Sequence, residues 1–232
     1  MPVPNTKILL GSTILSGGGF TLTPNAVGDF APTLTGLSAP PWLASVGDLN
    51  GDGVADLAIG ASGDDDRRAD AGRIFVTMSN LAAGSSTNIA TNSWIIDGVN
   101  AGDLAGFSVA GSADINGDGL GEILIGTPGV DIGVRTDAGA AYVAFGQSTP
   151  GGLDLNDLFT ANGGGYAIKG QVAGDAAGYT VLSVGDMNGD GRADMLVGAP
   201  GQDAGGLDAG AAYVVWGRTA ASNVLLNNVA AG

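Results

Sequence analysis

Three stretches of the chain place oxygen-bearing side chains at positions 1, 3, 5 and 9 of a nine-residue loop. They are Asp48, Asn50, Asp52 and Asp56; Asp114, Asn116, Asp118 and Glu122; and Asp186, Asn188, Asp190 and Asp194. Glycine stands at positions 4 and 6 of each loop, where the backbone must turn sharply. Position 7 holds Val54, Leu120 and Arg192, three unrelated side chains, as expected if this residue offers only its carbonyl. Carboxylate, amide and carbonyl oxygens in this order form a cage of hard donors, which suits Ca²⁺. Ordinary Asx turns would account for the glycines. They do not account for carboxylates paired at positions 5 and 9, which repel each other without a cation. The three loops therefore predict three Ca²⁺ sites, with the residues named above as ligands.

The loops differ from EF-hands, whose ligands run to a glutamate at position 12 between two helices. Here position 9 is followed by a short apolar run: Leu57-Ala58-Ile59-Gly60-Ala61, Ile123-Leu124-Ile125-Gly126-Thr127 or Met195-Leu196-Val197-Gly198-Ala199. Each run reads as a buried strand. Another apolar stretch precedes each loop, at 42–46, 107–110 and 179–184. The elements that position the oxygens are thus strand–loop–strand units.

The repetition extends past the loops. Ala101-Gly102-Asp103-Leu104-Ala105-Gly106-Phe107-Ser108-Val109 matches Ala173-Gly174-Asp175-Ala176-Ala177-Gly178-Tyr179-Thr180-Val181. Ile125-Gly126-Thr127-Pro128-Gly129 matches Val197-Gly198-Ala199-Pro200-Gly201, and Asp137-Ala138-Gly139-Ala140-Ala141-Tyr142-Val143 matches Asp208-Ala209-Gly210-Ala211-Ala212-Tyr213-Val214. The first copy contributes Ile59-Gly60-Ala61-Ser62-Gly63 and Asp70-Ala71-Gly72-Arg73-Ile74-Phe75-Val76. The loops start at Asp48, Asp114 and Asp186, 66 and 72 residues apart, a period that holds several short strands and suggests a β-repeat array or propeller.

In order, these motifs resemble the FG-GAP repeat of integrin alpha-subunit β-propellers and related bacterial calcium-binding surface proteins. The Gly106-Phe107 and Gly198-Ala199-Pro200 segments carry the name, and the resemblance covers nearly all of residues 18–218. It implies that each repeat is one four-stranded blade, with Ca²⁺ between its first and second strands. On this reading residues 1–232 form one propeller-like domain. Residues 18–98 are the first blade with a preceding outer strand, 99–170 the second blade, and 171–232 the third blade and a tail. The first copy departs from the pattern: Ala39-Pro40-Pro41-Trp42 replaces the Gly-aromatic pair, and 19 residues separate Asp29 from Asp48, against 11 between Asp103 and Asp114.

Composition narrows the function. There is one glutamate among 23 acidic residues and lysine occurs only at Lys7 and Lys169, so strong charged helix formers are scarce and the expected class is all-β. The net charge is −15, and nine of the acidic residues lie in the three loops; three bound Ca²⁺ would bring the charge to −9. Eight basic residues without a patch argue against nucleic acid as a partner. Cysteine and histidine are absent, which removes thiolate chemistry, zinc–thiolate sites and the commonest general base. No apolar stretch is long enough to span a membrane, and Lys7-Ile8-Leu9-Leu10 reads as strand. Asp64, Asp65, Asp66, Asp70, Asp131, Asp137, Asp203 and Asp208 are expected to cap turns or pair with arginine, and Trp42, Trp94 and Trp216 to pack in the core.

The resulting expectation is a calcium-binding extracellular adhesion or structural module, located at the cell surface or secreted, with no catalytic role. It would present a blade surface to a protein, a glycan or sibling subunits. A carbohydrate-binding lectin is the alternative, and a calcium-dependent hydrolase a more distant one. Propellers have four to eight blades, and this chain has three loops. Gly19-Phe20-Thr21-Leu22-Thr23 matches Gly165-Tyr166-Ala167-Ile168-Lys169, an outer fourth strand, whereas the last repeat runs only to its third strand, 211–216. That mismatch predicts a homo-oligomer or filament built by strand complementation, unless the tail Val224-Leu225-Leu226 supplies the missing strand or the sequence is part of a longer chain.

Overall fold

The computed structural model describes residues 21–23, 42–77, 86–88, 94–148, 152–159, 164–219 and 222–226. Lys7–Leu10, Phe20, Asp29 and Ala39–Pro41, singled out above, lie outside them. Among the described residues the structure is all-β, a propeller-like array of three blade sheets with a separate two-stranded sheet; the one helical element is a 3₁₀ turn, Asp157–Phe159.

The first blade pairs β2 (Leu43–Gly47), β3 (Asp56–Ala61), β4 (Arg73–Thr77) and β6 (Trp94–Asp97) as an antiparallel meander. The second repeats it with β7 (Ser108–Ser112), β8 (Glu122–Thr127), β9 (Ala140–Phe145) and β11 (Gly165–Lys169). The third comprises β12 (Thr180–Gly185), β13 (Asp194–Ala199) and β14 (Ala211–Val215), and among the described residues no fourth strand pairs with it. A short segment after each third strand reaches back one blade. β10 (Leu153–Asp154) pairs in parallel with β6, and β15 (Val224–Leu225) with β11. The tail therefore clamps the second blade and does not complete the third. β1 (Thr21–Thr23) pairs in parallel with β5 (Ser86–Asn88).

The core lies between successive blades. Alternation along β8 sends Ile123 and Ile125 toward the first blade, against Val46, Ala58 and Ile74, and Leu124 toward the third, against Val181, Met195 and Val197. Both faces of β8 are thus covered, which is why the run after its loop is apolar throughout. Blade-to-blade approach is close enough to demand glycine. A Cβ on Gly60 would lie 2.0 Å from the Gly106 carbonyl oxygen, and one on Gly126 2.0 Å from that of Gly178. Parallel bridges Gly72–Ala105 and Gly139–Ala177 join the same faces.

Trp42 and Trp94 are buried, as expected, but Trp216 is 47% exposed, since among the described residues no strand packs over the end of β14. The acidic residues between second and third strands cap turns: Asp65, Asp131 and Asp203 accept the N–H groups of Asp70, Asp137 and Asp208 at 2.7, 2.9 and 2.7 Å. Each recipient holds a left-handed conformation, with φ of 50°, 51° and 51°. Buried Arg73 binds Asp64, Asp66 and Asp97, pinning β4 to β6 and to the preceding loop. These carboxylates keep the guanidinium charged, raising its pKa despite its burial.

Candidate metal centre

All three acidic loops connect the first and second strands of a blade, between β2 and β3, β7 and β8, and β12 and β13. Their geometry is nearly superimposable in hydrogen-bonding terms. The position-1 carboxylate accepts three backbone N–H groups. For Asp48 these are Gly51, Asp52 and Gly53, at 2.7, 3.1 and 2.8 Å. For Asp114 they are Gly117, Asp118 and Gly119, at 2.5, 3.1 and 2.9 Å. For Asp186 they are Gly189, Asp190 and Gly191, at 2.7, 3.1 and 2.8 Å. The bond from Gly191, followed by those from Gly189 and Asp190, holds the exposed Asp186 carboxyl below its ordinary range. Glycines 51, 53, 117, 119, 189 and 191 all have φ between 78° and 89°, the left-handed region that lets consecutive amides converge on one carboxylate.

The position-3 asparagine accepts the position-5 N–H through Oδ1, at 2.9, 2.8 and 2.9 Å in the three loops. Its amide donates to the position-5 carboxylate at 3.2, 2.8 and 3.1 Å. Position 9 differs in burial: Asp56, Glu122 and Asp194 are 2%, 0% and 0% exposed. Each accepts the N–H of position 2, from Leu49, Ile115 and Met187 at 3.0, 2.5 and 2.8 Å. The loop is therefore tied at its base by a buried carboxylate and at its rim by an amide-lined one.

The second loop has the tightest acidic cluster. Asp114, Asp118 and Glu122 each bring one oxygen within 4.8 Å of the others, which among the described residues no other trio of acidic side chains does. Oxygens so spaced fit one shell around a cation bound at about 2.3–2.6 Å. Glu122 Oε1 is buried without a well-formed hydrogen bond: the Gly146 N–H interacts with this carboxylate only loosely, whereas the equivalent Gly217 N–H is accepted by Asp194 Oδ1 at 2.9 Å. Burial, only partly offset by the Ile115 and Gly146 N–H groups and reinforced by Asp118 and Asp114, pushes the Glu122 carboxyl up to about 8. A buried, poorly satisfied oxygen within a cluster of carboxylates is an arrangement that a cation fits. The extra methylene of Glu122 reaches into this cluster.

Sequence reasoning missed how the loops touch each other. Gly121 donates its N–H to the Asp48 carbonyl at 3.0 Å, and Ala193 donates to the Asp114 carbonyl at 3.0 Å, so the second and third loops are each bonded to the loop of the preceding blade. The side chain of Arg192 lies against the second loop, where a Cβ on Gly117 would be 3.7 Å from Arg192 Nε. A cleft of about 360 Å³ beside the second loop is lined by Asn116, Asp118, Phe145, Gly146, Gly164 and Thr219, drawing on two blades. The available signal was the recurrence of Phe145-Gly146 as Trp216-Gly217, glycines that sit against the loop backbone.

The sequence profile described as "FG-GAP repeat" matches residues 40–77, 105–144 and 177–215, about half of the chain. Each match holds one loop with its strands. Phosphatidylinositol-glycan-specific phospholipase D of Bos taurus is 32% identical over 176 residues, 73% of this chain and 19% of the bovine protein. Integrin alpha-PS2 of Drosophila melanogaster is 32% identical over 160 residues, 66% of this chain and 10% of the fly protein. Integrin alpha-5 of Xenopus laevis is 29% identical over 211 residues, 87% of this chain and 18% of the frog protein. The chain thus spans less than a fifth of the length of these relatives.

Proposed function

The chain belongs to the FG-GAP repeat family, and from that premise we propose that it is a calcium-binding, extracellular adhesion or structural module. The observation that carries the proposal is the second loop, where the Asp114, Asp118 and Glu122 carboxylates converge with one oxygen each within 4.8 Å of the others and Glu122 is buried. In this reading each loop holds one Ca²⁺. The ligands are the side chains of Asp48, Asn50, Asp52 and Asp56, of Asp114, Asn116, Asp118 and Glu122, and of Asp186, Asn188, Asp190 and Asp194. The carbonyls of Val54, Leu120 and Arg192 complete the sets.

The role of the ion is mechanical. It neutralises carboxylates that would otherwise repel, and so stiffens the link between first and second strands. Because the loops are bonded in series through Gly121–Asp48 and Ala193–Asp114, stiffening one loop supports the next. The similarity to integrin alpha subunits supports assigning a protein-binding, cell-surface role to the blades. The similarity to phosphatidylinositol-glycan-specific phospholipase D is to a fifth of that protein, and we assign no catalysis to this chain. It has no histidine or cysteine, and its closest acidic cluster is committed to the loops.

Calcium titration followed by thermal unfolding tests this directly. Extracellular modules of this ligand type bind with constants of about 10⁻⁴ to 10⁻³ M. Calcium at ten to a hundred times the dissociation constant stabilises by about 1.4–2.7 kcal/mol per site. A melting curve unchanged between millimolar calcium and excess chelator overturns the reading.

A further inference from the structure

The seventh residue of the second and of the third loop reaches the loop before it. The N–H at position 8 sets the approach: Gly121 donates to the carbonyl of Asp48 and Ala193 to that of Asp114, both at 3.0 Å. The position-7 side chain is thereby laid against the glycine at position 4 of the earlier loop. A Cβ on Gly51 would lie 3.4 Å from Leu120 Cδ2, and one on Gly117 3.7 Å from Arg192 Nε. The glycine after the third strand closes on the same side chain from behind. A Cβ on Gly146 would meet Leu120 Cβ at 2.9 Å, and one on Gly217 would meet Arg192 Cβ at 2.8 Å. The two junctions are built alike, except that one seats an apolar side chain and the other a guanidinium.

That guanidinium is held by packing, and its charge is poorly compensated. Among the described residues Nε is buried without a hydrogen-bond acceptor. The carboxylate within ion-pair reach is that of Asp190, 3.9 Å from Nη1 and too far for a hydrogen bond. Arg73 is the contrast, enclosed by the carboxylates of Asp64, Asp66 and Asp97. Asp190 is position 5 of the third loop. On the other side stands Gly117, between Asn116 and Asp118 of the second loop, and its N–H binds the Asp114 carboxylate at 2.5 Å. Adding two covalent bonds of about 1.5 Å to that hydrogen bond and to the 3.7 Å contact puts Arg192 Nε within about 9 Å of the Asp114 carboxylate. One positive charge thus stands between two candidate cation sites and close to the carboxylates of both.

We propose that Arg192 is a built-in competitor of calcium, which lowers the affinity of the second and third loops and leaves that of the first unchanged. The inference rests on the calcium reading above and assigns a regulator to those sites. Calcium in the third loop takes up the Asp190 carboxylate, so the guanidinium loses the anion beside it. Calcium in the second loop brings a divalent charge to within about 9 Å of the same guanidinium. A unit charge at that distance weakens divalent-ion binding about threefold in a water-like dielectric at low salt, and more where protein displaces water. At the junction of the first and second loops the equivalent side chain is Leu120, which carries no charge, so the first loop has no such competitor.

Calorimetric titration with calcium tests this in full-length chains that keep selected loops. Asp52→Ala confines binding to the second and third loops; Asp118→Ala combined with Asp190→Ala confines it to the first. In the Asp52→Ala chain at about 0.01 M salt, Arg192→Leu should tighten binding about threefold to tenfold. Leucine is the residue that the neighbouring junction already accepts. Arg192→Met keeps an unbranched stem against Gly217 and should give the same gain, so the test stands if leucine packs poorly. Arg192→Lys keeps the charge and should bind as the parent does. In the chain that keeps only the first loop, Arg192→Leu should change nothing. At about 1 M salt, where charges are screened beyond about 3 Å, the gain should vanish; a purely steric effect of the substitution would persist. Neutral variants that bind calcium no tighter than the parent at low salt, or a gain that survives high salt, overturn the proposal and leave the calcium reading standing. A parent chain that binds no calcium at all overturns both.

Discussion

Replacing Glu122 with glutamine should stabilise the chain in chelator and weaken its response to calcium. Glutamine keeps the shape and the acceptor for the Ile115 N–H while removing a buried charge. The Glu122 carboxyl is raised from 4.5 to about 8 by burial and by Asp118 and Asp114. At pH 7 the unfolded chain has it ionised and the cation-free folded chain has it largely protonated. The difference between 4.5 and 7, at about 1.36 kcal/mol per unit, gives about 3 kcal/mol favouring glutamine. For a domain of this size that corresponds to a rise in Tm of about 6–12 °C. With calcium at ten to a hundred times its dissociation constant, the parent gains about 1.4–2.7 kcal/mol from this loop that the variant forgoes. Differential scanning calorimetry at pH 7, with and without chelator, gives all four Tm values. The reasoning fails if Glu122→Gln melts below the parent in chelator, or if calcium raises both chains equally.

Other outcomes follow from the same geometry. In chelator, stability should fall as pH rises from about 5 to 8, by at most about 1.4 kcal/mol per unit. A raised carboxyl pKa contributes stability that is complete below the unfolded value and lost through the folded one. Calcium should flatten that slope, since it favours the ionised form; pH-dependent melting in both buffers reads this. Asp52→Ala, Asp118→Ala and Asp190→Ala should each remove about one bound calcium by equilibrium dialysis. Asp65→Asn should remove none, because asparagine can still cap Asp70 through its carbonyl oxygen. Gly126→Ala forces a Cβ to within 2.0 Å of the Gly178 carbonyl oxygen and should cost about 1–3 kcal/mol in chemical denaturation. Gly198→Ala meets only ordinary contact and should leave a dilute, unassociated chain unchanged.

The sequence displayed the loops and their strands because both have short-range signatures. Aspartate, asparagine and glycine at fixed offsets specify a turn whose conformation only those residues adopt readily, and the apolar run after it must be buried on both faces. The outer strands were legible only by internal comparison, as with Gly19–Thr23 against Gly165–Lys169. The clamps β10 and β15 were not legible: two-residue parallel pairings such as Leu153 with Ile96 are fixed by tertiary contact and carry no local pattern. Trp216 reads as a core residue because it stands within an apolar strand; it is exposed because among the described residues nothing covers that end of β14. At Glu122, composition shows a longer side chain, and only the folded arrangement shows that its carboxylate is fully buried beside Asp114 and Asp118. The bonds from Gly121 to Asp48 and from Ala193 to Asp114 join residues more than 70 apart through backbone atoms, which side-chain identity does not encode.

The central claim is that the three loops hold calcium. Its most direct test is a crystal of the full chain grown with calcium and measured at a wavelength where calcium scatters anomalously. The account predicts three anomalous peaks. They would lie among the oxygens of Asp48, Asn50, Asp52 and Asp56, of Asp114, Asn116, Asp118 and Glu122, and of Asp186, Asn188, Asp190 and Asp194, each at about 2.3–2.6 Å from its ligands. Ordered loops with no anomalous density at millimolar calcium would contradict it.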